Sequence, residues 1–159
     1  MISAPGELDT LRRYLTWQRE HILGALDGLT DEQLRAPALP SGWSPIGLVQ
    51  HLALDVERFW FRAVVAGESV ELSSTAWQVP ADTACADVIA LYRDEIARAD
   101  AIMTATPLDA EPRWWPEPGP PPRVHRATIL HVTVETATHA GHLDAARELV
   151  DGKSWLVLT

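Results

Sequence analysis

Ile129-Leu130-His131-Val132-Thr133-Val134-Glu135-Thr136-Ala137-Thr138-His139-Ala140-Gly141-His142-Leu143-Asp144 decides both the fold and the chemistry to look for. On an α-helix each residue turns about 100°, so His131, Glu135, His139 and His142 fall within an arc of roughly 80°. Ala146 and Leu149 continue the same stripe. The spacing predicts a helix over about 126–151, stopped at Gly152, with one face both core-directed and rich in ligand-type side chains.

Working outward, the rest of the chain has the same period. Leu8, Leu11, Leu15, Ile22 and Leu26 recur at steps of three, four and seven and predict a first helix over about 7–28. Thr30-Asp31-Glu32-Gln33 has the form of a capping box opening a short turn. Ser44-Pro45 is a start signal, since Ser caps free amides and Pro at the first helical position gives up a donor that had no partner. A second long helix follows to about Ala66 and stops at Gly67. Residues 68–80 have no convincing period and are expected to be a connection. A third helix over about 82–105 buries Val88, Leu91, Tyr92, Ile96 and Met103. Prolines crowd the segment between Pro107 and Pro122, which excludes a regular helix, while Trp114 and Trp115 imply that it packs down. The apolar tail Ser154–Leu158 is expected to dock on the body. Four long helices joined by long connections predict an all-α four-helix bundle, with 1–159 forming one domain.

Composition narrows the function. The chain has 159 residues, 47% of them hydrophobic, enough to bury a core without disulfide or metal staples. Lys and Arg number 13 against 22 Asp and Glu, a net charge of −9. That balance disfavours nucleic acid, whose binding needs cations to displace phosphate counterions, and disfavours anionic lipid. Cys85 is the single cysteine, so no intrachain disulfide can form. No apolar run approaches the roughly 18–20 residues of a membrane span, and the N-terminus lacks the features of a secretory signal. A soluble cytoplasmic protein is expected.

Side chains four apart on a helix stand about 5–6 Å apart at Cβ, close enough to share one cation. Glu135 and His139 meet that condition, and so do His139 and His142 at three apart. His131 and His139 are two turns apart and can hardly share an ion. A tight site needs a ligand from a second helix, and His51, within Gly47-Leu48-Val49-Gln50-His51-Leu52-Ala53, is the natural candidate. His51, Glu135 and His139 would make a His₂Glu set with positions left open for water or substrate. The bland alternatives are a hydrogen-bonded core histidine at 51 and an ordinary Glu135–His139 ion pair on a wet face. His21 and His125 are expected at the surface or in loops, and Cys85 as a small core filler. Phe59-Trp60-Phe61 is expected in core or interface packing. Arg58 and Arg62 are expected to be solvated, with guidance of an anionic substrate as the alternative.

Gly42-Trp43-Ser44-Pro45, then His51-Leu52-Ala53, then Glu57-Arg58-Phe59-Trp60-Phe61 resemble the second helix of the DinB/YfiT-like metalloenzymes. Glu135-Thr136-Ala137-Thr138-His139-Ala140-Gly141-His142-Leu143-Asp144 resembles their fourth helix, and the nearest branch is an actinobacterial one related to mycothiol-dependent maleylpyruvate isomerase. The resemblance implies a four-helix bundle holding one divalent metal, usually zinc or nickel, on three side chains. Matching His139-Ala140-Gly141 to the family's His-x-Gly places the paired ligands at Glu135 and His139 and the helix-two ligand at His51. It further implies frequent dimers and a reaction that uses a low-molecular-weight thiol such as mycothiol, either its transfer to a small electrophile or an isomerase-like conversion. In that scheme the thiol attacks as thiolate, His142 carries a proton or supports the ligands, and Asp55, four after His51, orients its imidazole. Two alternatives use the same residues: a hydrolase with a metal-bound water and Asp55 as base, and a non-catalytic metal-binding or interaction module.

Overall fold

Ser44 opens the helix on which the first candidate ligand lies: its hydroxyl accepts the Gly47 N–H at 3.2 Å, and Pro45 fills the first turn. In the computed structural model, which describes residues 6–116 and 124–153, the chain forms α1 (Glu7–Ala25), α2 (Asp31–Arg35), α3 (Pro45–His51), α4 (Cys85–Ala105) and α5 (His125–Asp151). Helix α3 runs without a break into a π-helical segment, Leu52–Val65, so the second long helix is α for two turns and π thereafter. The sequence predicts one uninterrupted α-helix there. No Gly or Pro lies between 48 and 66 to mark the change, and its wider turns appear directly as the Ala66 N–H donating to the Phe61 carbonyl at 2.9 Å.

The predicted ends hold closely. Helix α1 stops at Ala25 and passes into a turn over 26–28, three residues short of expectation, and α4 begins at Cys85 rather than 82. The Thr30–Gln33 capping box is complete, with both reciprocal bonds present. Gly67 and Gly152 terminate their helices in the left-handed region at φ 68° and 75°, where a Cβ is strained. The expected docking of residues 154–158 falls outside the described residues. Among the described residues no helix is long and apolar enough to cross a membrane.

Helices α1 and α5 lie side by side and run in the same direction. Glu7 pairs with Arg126, His21 with Asp144 at 2.8 Å, and the Ala25 carbonyl with Arg147 at 2.6 Å, so the two chains advance together. The core between the long helices is built from Leu15, Ile22, Leu48, Leu52, Phe61, Tyr92, Met103, Ile129, Val132 and Leu143, all buried. Of the stripe read on the last helix, Ala146 is buried, but Leu149, 65% exposed, faces water. Trp114 and Trp115 pack edge-on against Phe59, and the Arg113 and Trp114 amides donate to the Val64 carbonyl, which fastens the described part of the proline-rich segment to the bundle.

Three expectations are corrected here. His21 is buried against Asp144, and His125 is buried as the first residue of α5; neither is a surface or loop residue. Arg58 and Arg62 are not simply solvated, because both donate to the buried Glu95 carboxylate, at 2.9 and 3.0 Å. The reason is a row of charges inside the bundle. Arg19 on α1 grips Glu57 with two bonds of 2.7 and 2.6 Å and reaches Asp100 on α4 at 2.8 Å. Charged groups without water must find each other, and the helices are tied at those points.

Two outcomes follow from this interior. Arg19→Leu leaves Glu57 buried and unpaired, and urea unfolding should show a loss of about 3–5 kcal/mol; a loss below about 1 kcal/mol would mean that water already compensates the pair. His125 Nδ1 faces only the carbonyls of Thr106 and Pro107, so it must donate, and burial lowers its pKa below the ordinary histidine value. Above about pH 6.5 the ring is neutral folded or unfolded; below it the unfolded chain takes up the proton first, and stability falls with pH. His125→Gln should therefore show a shallower decline of the urea midpoint between pH 7.5 and 5.5 than the unmodified protein.

Candidate metal centre

His51 ends α3 and Asp55 lies one turn further on, so the carboxylate can reach back to the imidazole: Nδ1 donates to Asp55 Oδ2 at 2.9 Å. With Nδ1 protonated, Nε2 carries the lone pair. That Nε2 is buried and has no hydrogen-bond partner. On α5, His139 and Glu135 are four residues apart, with His139 Nε2 3.3 Å from Glu135 Oε1, and His139 Nδ1 is also buried without a partner. The two helices converge so that the His51 and His139 rings lie edge to face, 5.1 Å between centroids. One donor atom each from His51, Glu135 and His139 lie within 4.8 Å of one another, and this is the group able to hold a cation among the described residues.

Two imidazole nitrogens and a carboxylate oxygen at that mutual distance fit the ligand set of a zinc-like dication and leave positions for exchangeable ligands. The orphaned nitrogens are the stronger indication, because a buried polar atom without a partner costs about 1–3 kcal/mol unless something binds it. Burial, and then the neighbouring His51 ring, lower the pKa of His139 despite the opposing pull of Glu135. A neutral imidazole is the form that ligates metal.

The other expected site residues sit around this set. His142 is exposed at its rim, with its ring 5.6 Å from that of His139. His131, on the same stripe, is exposed and packs on Trp60, 4.4 Å between ring centroids, so it belongs to an aromatic patch instead. Cys85 is buried, as a core filler should be.

Trp77 is the residue that sequence reasoning missed. It lies in the connection over 68–80, yet its ring stacks on His51 at 4.2 Å and 18° and lies 5.6 Å from His139. The loop is held there by Gln50, whose Nε2 donates to the carbonyls of Ala76 and Gln78 at 2.8 and 3.2 Å. It also depends on Gly47: a Cβ at that position would stand 2.4 Å from the Trp77 carbonyl oxygen. The one aromatic residue in the connection over 68–80 was the available signal.

A bundle carrying a carboxylate and two imidazoles on facing helices defines a class, the DinB/YfiT-like proteins. Within it, the mycothiol S-transferase family profile matches residues 10–152, almost the whole chain, and the protein belongs to that family. Among curated proteins none matches the sequence.

The close approach at Gly47 is testable. Gly47→Ala should push the Trp77 backbone away and cost about 1–3 kcal/mol of stability. Stacking places the His51 ring protons in the shielding region of the indole; in the variant their NMR signals should move downfield towards ordinary histidine positions. Unmoved signals would show that the loop adjusts without releasing Trp77.

Proposed function

We propose that the protein is a metal-dependent thiol S-transferase, in which His51, Glu135 and His139 hold one divalent cation, zinc or nickel, and the thiol is mycothiol or a similar low-molecular-weight thiol. The observation that carries this is the meeting of three ligand-type atoms from two helices, with the His51 Nε2 lone pair buried and unclaimed. Membership of the mycothiol S-transferase family supplies the thiol.

A dication bound there would hold a coordinated thiol in its ionised form at neutral pH. The chain's own residues supply the rest. Asp55 fixes the tautomer and plane of His51, so that Nε2 is presented without rearrangement. Trp77 covers one face of His51 and keeps water from it. Glu135 is partly exposed, and the open side of the set adjoins it, which is where a small electrophile can approach. His142, at the rim, takes the thiol proton and passes it to solvent, while the sulfur electron pair forms the bond to the electrophilic carbon and the bond from that carbon to the electrophile's leaving group breaks, its pair departing with that group.

The hydrolytic alternative is weaker on geometry. It needs a free carboxylate as base, and Asp55 is already bonded to His51. A purely structural cation is disfavoured by the ligand count, since three protein donors leave exchangeable positions.

Elemental analysis tests the assignment. The unmodified protein should carry about one equivalent of metal, and His51→Ala and His139→Ala should lose most of it. Glu135→Gln should bind more weakly, because an amide is a poorer ligand than a carboxylate. Asp55→Ala should lose roughly 10–100-fold in metal affinity through disorder of His51. Full metal content in the His51 or His139 variant overturns the ligand set; turnover that proceeds without any thiol restores the hydrolase.

A further inference from the structure

The π-helical register of Leu52–Val65 turns Trp60 onto the face that carries His51. A turn closed by i→i+5 bonds takes about 4.4 residues, so the nine steps from His51 to Trp60 make two turns and the side chains point the same way. At about 3.6 residues per turn the same nine steps make two and a half, and Trp60 would stand on the opposite face. Its contact agrees with the wider register. Trp60 packs edge-on against His131, 4.4 Å between ring centroids, and His131 lies on the stripe of α5 that carries Glu135 and His139. The two segments run antiparallel, since His51 meets His139 at one end and Trp60 meets His131 at the other. The groove between them is therefore about 12 Å long, with Glu135 in its middle, one helical turn from His131.

The end away from His51 is a wall of rings. Trp60 tilts against Trp115 at 5.7 Å and meets Phe59 edge-on at 5.2 Å. His131 is exposed, and Trp60 and Trp115 are only half-buried, so ring surface stays open beside Glu135. Such surface takes planar apolar bodies, stacked or edge to face, at centroid separations of about 4.5–7 Å. The charged side chains between the two ends of the groove are Asp55 and Glu135, both acids, which disfavours an anion. The turn of about 5.4 Å from His131 to Glu135 is a length that one ring and an exocyclic bond span. We propose that the electrophile is aromatic: an uncharged, planar ring lies against Trp60, Trp115 and His131, and its electrophilic carbon, carried just outside the ring, is held on the Glu135 side. The inference rests on the thiol-transfer function above, but the wall can be tested apart from it.

Benzyl alcohol has the ring and no good leaving group, so it reads the wall without reaction. NMR of the full-length protein titrated with it should shift the Trp60 indole N–H and the His131 ring signals, and the response should survive chelator treatment. Cyclohexylmethanol, of similar size but not planar, should bind about tenfold more weakly, and benzoate, which adds a negative charge, should also bind more weakly. Trp60→Leu keeps an apolar side chain without the ring, and binding read at His131 should weaken about tenfold. His131→Ala, at an exposed position that leaves the core intact, should weaken the binding read at Trp60. Trp17→Leu, at an exposed tryptophan on α1, should leave it unchanged. Signals at Trp60 and His131 that stay still or respond only with a cation present overturn the proposal. So does equal affinity for benzyl alcohol and either comparison compound, or unchanged binding in Trp60→Leu and His131→Ala. Loss of the metal assignment with ring-dependent binding intact would remove the reaction and leave the aromatic site standing. Metal-dependent thiol transfer with a silent wall would do the reverse.

Discussion

Everything proposed for this protein depends on one crossing, where the end of α3 meets the middle of α5 and brings the His51 and His139 rings to 5.1 Å. A nitrogen such as His51 Nε2, stripped of water and given no partner, raises the free energy of the folded chain. Asp55 makes the situation sharper, because by fixing the proton on Nδ1 it leaves Nε2 with nothing to donate and only a lone pair to offer. A cation is the partner that suits two such nitrogens and a carboxylate together. The bundle therefore stores an unsatisfied interaction at the place where binding can use it.

The crossing is kept in place by charges buried elsewhere. Arg19, Glu57 and Asp100 tie α1, the π-helical segment and α4 at one level, and Arg58, Arg62 and Glu95 tie the segment to α4 at the next. Ion pairs of this kind add little net stability over a well-packed apolar core, but they are intolerant of slippage. For a site assembled from two helices, fixed axial register matters more than total stability, since a displacement of one turn would carry His51 about 5.4 Å away from its partners.

The loop between the π-helical segment and α4 does a second job. Gly47 lets its backbone approach α3 more closely than any side chain would permit, and Gln50 satisfies two of its carbonyls. Trp77 is thereby laid on His51. A long connection in a small bundle is costly to order, and here it is ordered by contacts that also shape the surroundings of the candidate site.

Local pattern was enough for the helices, because the period of apolar residues, the Ser44-Pro45 start, the Thr30 capping box and the Gly67 and Gly152 stops are all short-range effects. The same is true of the Glu135–His139 pair, since four residues on one helix fix a distance by themselves. The burial of His21 and His125 was not legible, because it depends on which partner helix covers each residue. Nor was the π-helical register of Leu52–Val65, which no local residue announces, or the capture of Arg58 and Arg62 by Glu95 across a gap in sequence of more than thirty residues. Trp77 belongs with these. The sequence by itself determined the four long helices and named Glu135 and His139 as ligand types at helical spacing, with His51 as the candidate from a second helix. Only the tertiary structure decided that their donor atoms meet within 4.8 Å, and that an indole stacks on one of them, because distances between segments far apart in the chain are set by packing rather than by local period.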